Sequence, residues 1–121
     1  MSDLQCAATF LVLPAGSAIP AEQLLAERPA CLYTETGLHV ADLARGLGLA
    51  ARHLPGTRTP TAPAALTAAL TDLADEFRGE TLAVVVSDAT YADLTREVVS
   101  TSPPAVVVEI DADSRRWRPY E

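Results

Sequence analysis

Glu80-Thr81-Leu82-Ala83-Val84-Val85-Val86-Ser87-Asp88-Ala89-Thr90 decides the fold. Leu82–Val86 is apolar at every position and ends in three valines. A strand with one wet face alternates apolar and polar residues; an unbroken run marks a strand covered on both faces. Thr81–Val86 therefore reads as a central strand. Ser87-Asp88-Ala89-Thr90 is its exit turn, and a helix is expected from about Tyr91 to Ser100, with Thr90 and Asp93 as a capping-box-like start. A buried strand leading through a short polar turn into a helix is the repeating unit of an α/β sheet. Ligands of such sheets gather at the carboxyl ends of the strands.

The flanking sequence repeats the unit. Ala7–Leu13 reads as a buried strand closed by Pro14-Ala15-Gly16. A short helix follows over 20–27, opened by Pro20 and stopped by Pro29. Leu38, Val40, Leu43 and Leu47 predict a second helix over about Gly37–Gly48, and Ala51–Leu54 a weak strand. Pro55–Pro63 is a loop. Leu66, Leu70, Leu73 and Phe77 then form the apolar stripe of a helix over about Ala64–Arg78. After Pro103-Pro104 come a strand at Ala105–Ile110, a turn at Asp111–Ser114 and an edge strand at Arg116–Tyr120. The expected fold is one α/β domain over 1–121. It has a largely parallel sheet, helices on both faces and a C-terminal antiparallel hairpin.

The chain has 121 residues, enough for one core, and is 49% hydrophobic and 21% charged, which excludes disorder. Its apolar runs are far shorter than the ~20 residues of a membrane helix. No basic stretch precedes the first apolar segment, so no secretory signal is expected and a cytoplasmic location is. All nine basic residues are arginines. Without lysine, Schiff-base chemistry and a P-loop are excluded. The net charge of −7 argues against nucleic acid as a partner, and Arg115-Arg116-Trp117-Arg118 reads as a solvated strand edge. Cys6 and Cys31 read as reduced thiols packed as small hydrophobes. Their spacing from His39 and His53 matches no zinc pattern, and neither a metal nor another cofactor is expected. His39, within the second expected helix, reads as solvent-facing rather than catalytic; Glu35 reads as a turn residue; and Tyr33, Tyr91 and Tyr120 read as packing residues with one polar end.

Several segments, in order, resemble the histidine phosphatase (phosphoglycerate mutase-like) superfamily. Tyr33-Thr34-Glu35-Thr36-Gly37 is similar to the family's Leu-Thr-Glu-Thr-Gly. Glu80–Ala89 is similar to Glu-Thr-Val-Leu-Val-Val-Ser-His-Gly-Gly, and Val106–Asp111 followed by Arg116-Trp117-Arg118 to its C-terminal hairpin. Phe10-Leu11-Val12-Leu13-Pro14-Ala15 stands where the family has Leu-Val-Arg-His-Gly. The resemblance implies a shortened phosphoglycerate mutase-like fold whose chemistry is lost. Pro14 stands in the place of the phosphorylated histidine, Leu13 in that of the arginine beside it, and Asp88 in that of the second histidine. A carboxylate at that last position repels phosphate. Arg58 lies in a segment faintly similar to the family's Arg-Ala-x-Gln-Thr-Ala, and the stretch carrying the general acid is missing.

Two functions follow as expectations. One is a non-catalytic, pseudophosphatase-like binding or scaffolding module for a protein, peptide or small ligand, with Leu13, Pro14, Arg58, Ser87, Asp88 and Thr90 as candidate contacts. Its shortened sheet would be covered by a partner or a second copy, so a homo-oligomer is expected. The other is a repurposed acid–base enzyme without a metal, an isomerase, lyase or cyclase such as natural-product pathways use, with Asp88 as its base. In the blander reading, Asp88 or Thr90 only caps the helix that follows.

Overall fold

In the computed structural model, which describes residues 6–120, six strands form one sheet in the order β3-β2-β4-β1-β5-β6. The elements run β1 (Ala8–Pro14), α1 (Ala21–Leu25), β2 (Cys31–Thr34), α2 (Ala41–Leu47), β3 (Ala51–His53), α3 (Pro63–Ala74), β4 (Thr81–Val86), α4 (Asp88–Val98), β5 (Val106–Ile110) and β6 (Arg115–Pro119). β3, β2, β4 and β1 are parallel; β5 runs antiparallel to β1, and β6 antiparallel to β5. The α/β class, the mostly parallel sheet and the closing antiparallel pair all match the expectation.

The period-two geometry of a strand divides the core into two layers. Phe10 and Val12 of β1, Leu82, Val84 and Val86 of β4, and Val106 and Val108 of β5 point to one face, against Leu66, Leu70 and Leu73 of α3 and Tyr91 and Leu94 of α4. Leu11, Leu13, Ala83, Val85 and Val107 point to the other, against Leu24 of α1 and Leu47 of α2. This explains why β4 is apolar throughout: each of its faces carries a helical layer, and β2 and β1 flank it.

Four expectations need correction. β2 was not expected. Its four residues are too few to show a period, but two successive helices without a strand between them break α/β alternation, and that was the available signal. The helix expected over 37–48 begins only at Ala41. Upstream, Gly37 has φ 94° and the Thr36 N–H donates to Thr57 Oγ1 at 3.2 Å, so residues 35–40 are a tethered loop and His39 lies on it. The helix expected from Tyr91 begins at Asp88, because Ser87 is the N-cap; its Oγ accepts the Thr90 N–H at 3.2 Å. α3 ends at Ala74, so Phe77 packs from a turn, edge-on to Tyr33 with ring centroids 6.3 Å apart.

Candidate functional site

The connections of the sheet create one special place. The chain leaves β1 toward α1 on one face and leaves β4 toward α4 on the other. β1 and β4 are neighbours, with Pro14 level with Val86. Their carboxyl ends therefore flank a topological switch point, where the loops diverge and leave a crevice.

A cleft of about 460 Å³ opens there. Leu13 and Pro14 of β1 and Val85 of β4 line it from the sheet; Ala15, Ser17 and Ile19 line it from the loop after β1. His39, Val40, Asp42 and Leu43 line it from the start of α2. Apolar and polar surface share the lining almost equally, and its ionisable groups are the exposed His39 and Asp42. Asp42 also meets Arg45 at 3.3 Å across one turn of α2. Ser17 Oγ accepts the Ile19 N–H at 3.2 Å and donates to the Pro104 carbonyl at 3.4 Å, which shapes that wall.

Beside the crevice, on the side of α4, lies a group whose role sequence reasoning missed. Glu35, just past β2, is fully buried. Its Oε1 accepts the Ser87 N–H at 2.7 Å, and its Oε2 accepts the hydroxyls of Thr61 and Thr90, each at 2.5 Å. Thr90 Oγ1 in turn accepts the Thr61 N–H at 2.8 Å and the Ser87 hydroxyl at 3.0 Å. Burial alone raises the pKa of this carboxyl. The hydrogen bonds from Thr61, Thr90 and Ser87 outweigh it and hold Glu35 below the ordinary value of 4.5. The positive end of α4 thus meets an anion supplied by the chain itself.

The sequence-predicted residues separate accordingly. Leu13 and Pro14 line the cleft; Ser87 and Thr90 belong to the Glu35 network, as cap and as buried donor. Asp88 is exposed outside the cleft lining, and its Oδ1 accepts the Gly16 N–H at 3.1 Å, tying the loop after β1 to the start of α4. It is neither the cap nor a wall of the cleft. Arg58 is exposed on the loop before α3, and its carbonyl lies 2.7 Å from the Thr61 hydroxyl, as an alternative acceptor to Glu35. Tyr91 fits its packing role: its hydroxyl donates to the Pro103 carbonyl at 2.5 Å, and burial pushes its pKa up to about 12. Cys6 and Cys31 are half-buried free thiols.

Among the described residues, no three His, Cys, Asp or Glu side chains converge as metal ligands would, and no helix is long and apolar enough to cross a membrane. No family model, curated protein or solved structure matches the chain.

Proposed function

We propose that this chain is a non-catalytic binding module that holds a small ligand with both apolar and polar groups in the cleft between the carboxyl ends of β1 and β4. The observation that carries this reading is the coincidence of the cleft with the switch point of the sheet, the place where open α/β sheets take their ligands. Its volume of about 460 Å³ suits a small molecule. Leu13, Val85 and Leu43 offer an apolar bed, and His39 and Asp42 at the rim offer one polar recognition point.

The acid–base alternative receives less support. Asp88 is exposed, engaged with Gly16 and outside the cleft lining, while the buried Glu35 already accepts three hydrogen bonds. Kinship with the histidine phosphatases belongs to the same proposal. It rests on the resemblance of the segments around Glu35, Val86 and Trp117, and the adjacency of β1 and β4 is compatible with it.

A fragment library screened by amide-resolved NMR tests the proposal. Shift changes are expected to cluster on Leu13, Ala15, His39 and Val85. Ala41→Trp, which fills the cleft from an exposed position, should abolish them. Asp88→Asn should leave binding intact. Hits confined to another surface, or substrate turnover lost in Asp88→Asn, would overturn it.

A further inference from the structure

We propose that β6 is a docking edge for an extended acidic segment of another protein, which joins the sheet as an added strand. β6 is the last strand of the sheet, so its outer side has no partner strand. The phase of its backbone follows from the ladder to β5. The Tyr120 N–H donates to the Ala105 carbonyl at 2.9 Å, and the Asp111 N–H to the Ser114 carbonyl at 3.0 Å. In an antiparallel pair, alternate residues turn their backbone groups the same way. Arg116 and Arg118 therefore face β5, while Arg115, Trp117 and Pro119 present theirs outward. Pro119 has no N–H, so this stretch offers the N–H groups of Arg115 and Trp117 and the carbonyls of all three residues.

The charge on this edge opposes that of the rest of the chain. Arg115, Arg116 and Arg118 are a third of the nine cations in a chain of net charge −7. All three are exposed, and none forms an ion pair with a described residue. Arg116 has Glu109 opposite it on β5 and acts on Asp111 at longer range. The alternation of the strand puts Arg115 on the α3–α4 face and Arg116 and Arg118 on the other, so cations flank the edge above and below.

These features select the occupant. A second copy pairing β6 with β6 would bring two arginine clusters together, a repulsion that edge charges are suited to produce. A nucleic acid would meet the guanidinium groups but leave the row of carbonyls unpaired, and the acidic remainder of the surface would repel it. An acidic extended peptide satisfies both the backbone row and the charges.

Trp117 is the only tryptophan of the chain, and it reports on this edge. Titration of the intact protein with a short alternating Glu-Val peptide should shift Trp117 emission saturably. The double variant Arg115→Ala/Arg118→Ala should bind about tenfold more weakly. N-methylation of alternate amides in the peptide should abolish binding. Ala41→Trp adds a second indole, so its peptide affinity is read by calorimetry; it should be unchanged, which separates this edge from the cleft. The proposal is overturned by an unchanged Trp117 emission, by equal binding of the Lys-Val or the N-methylated peptide, or by tighter binding of single-stranded oligothymidylate. A dimer in sedimentation that dissociates on Arg115→Pro would overturn it as well.

Discussion

Replacing Glu35 tests whether one buried carboxylate ties three separate parts of the chain together. Glu35 lies just past β2, Thr61 just before α3, and Ser87 and Thr90 at the start of α4. The donors are not equally adaptable. On loss of the carboxylate, the Thr61 hydroxyl can turn to the Arg58 carbonyl at 2.7 Å, and the Thr90 hydroxyl toward Ser87 Oγ at 3.0 Å. The Ser87 N–H cannot turn. An orphaned buried donor costs ~1–3 kcal/mol, and a hydrogen bond to a charged group contributes ~1.5–3 kcal/mol. Glu35→Ala, which also leaves a cavity, should destabilise by about 4 kcal/mol, a large part of a typical stability of ~5–15 kcal/mol. Glu35→Gln keeps an oxygen for Ser87 but sets an NH2 donor against the Thr61 and Thr90 hydroxyls, which must turn to the Arg58 carbonyl and Ser87 Oγ. With the charge assistance also lost, about 2 kcal/mol is expected.

The sign of the pH effect follows from the lowered pKa. The unfolded chain binds the proton near 4.5 and the folded chain only below that, so the contribution of Glu35 is complete above the unfolded value. It is lost as pH falls from about 4.5 through the folded value. Urea denaturation of wild type and Glu35→Gln at pH 7 and at pH 3.5 measures both effects. The gap between the two proteins should narrow at the lower pH. Equal stability at pH 7, or a gap independent of pH, would refute the reasoning.

Two further predictions concern the frame of the site. Gly46 of α2 packs so close to α1 that a Cβ there would lie 2.8 Å from Ala21 Cβ. Gly46→Ala gains ~1 kcal/mol of helix propensity but costs ~1–3 kcal/mol in overpacking, so a lower Tm is expected; a raised Tm in thermal melts would refute the close approach. Tyr91 keeps its proton to about 12 when folded, against 10.0 in the unfolded chain, so stability should fall as pH rises from 10 toward 12. Tyr91→Phe should remove the phenolate absorbance step near pH 12 and cost about 1 kcal/mol through the unpaired Pro103 carbonyl. Survival of that step in the variant would show the assignment to be wrong.

Local pattern was sufficient where burial alone specifies structure. The apolar runs at Ala8–Leu13, Leu82–Val86 and Val106–Val108 announce covered strands, and Gly48 with φ 69° ends α2 as its sequence suggests. The helix expected from about Ala64 starts one residue earlier, at Pro63, and the edge strand expected over Arg116–Tyr120 runs over Arg115–Pro119. Leu13 and Pro14 were placed at the cleft by the rule that ligands gather at strand ends. The Leu38–Leu47 spacing puts His39 on a helix; the hydrogen bond from the Thr36 N–H to Thr57 and the positive φ of Gly37 hold it on a loop instead.

The role of Glu35 was out of reach in the sequence. Nothing around Thr34-Glu35-Thr36-Gly37 distinguishes a solvated turn carboxylate from a buried one. Its partners lie 26, 52 and 55 residues away in the chain. Asp88, the more conspicuous acid at the end of β4, proved to be exposed and bound to Gly16, 72 residues earlier. Periodicity reports how a short segment divides between core and water, because side-chain direction repeats every two or 3.6 residues. It carries no information about which distant segments meet. Here the order of strands decided that, by setting β1 and β4 side by side and bringing the end of β2 level with Val85, so that the cleft opened on one face and the carboxylate closed on the other.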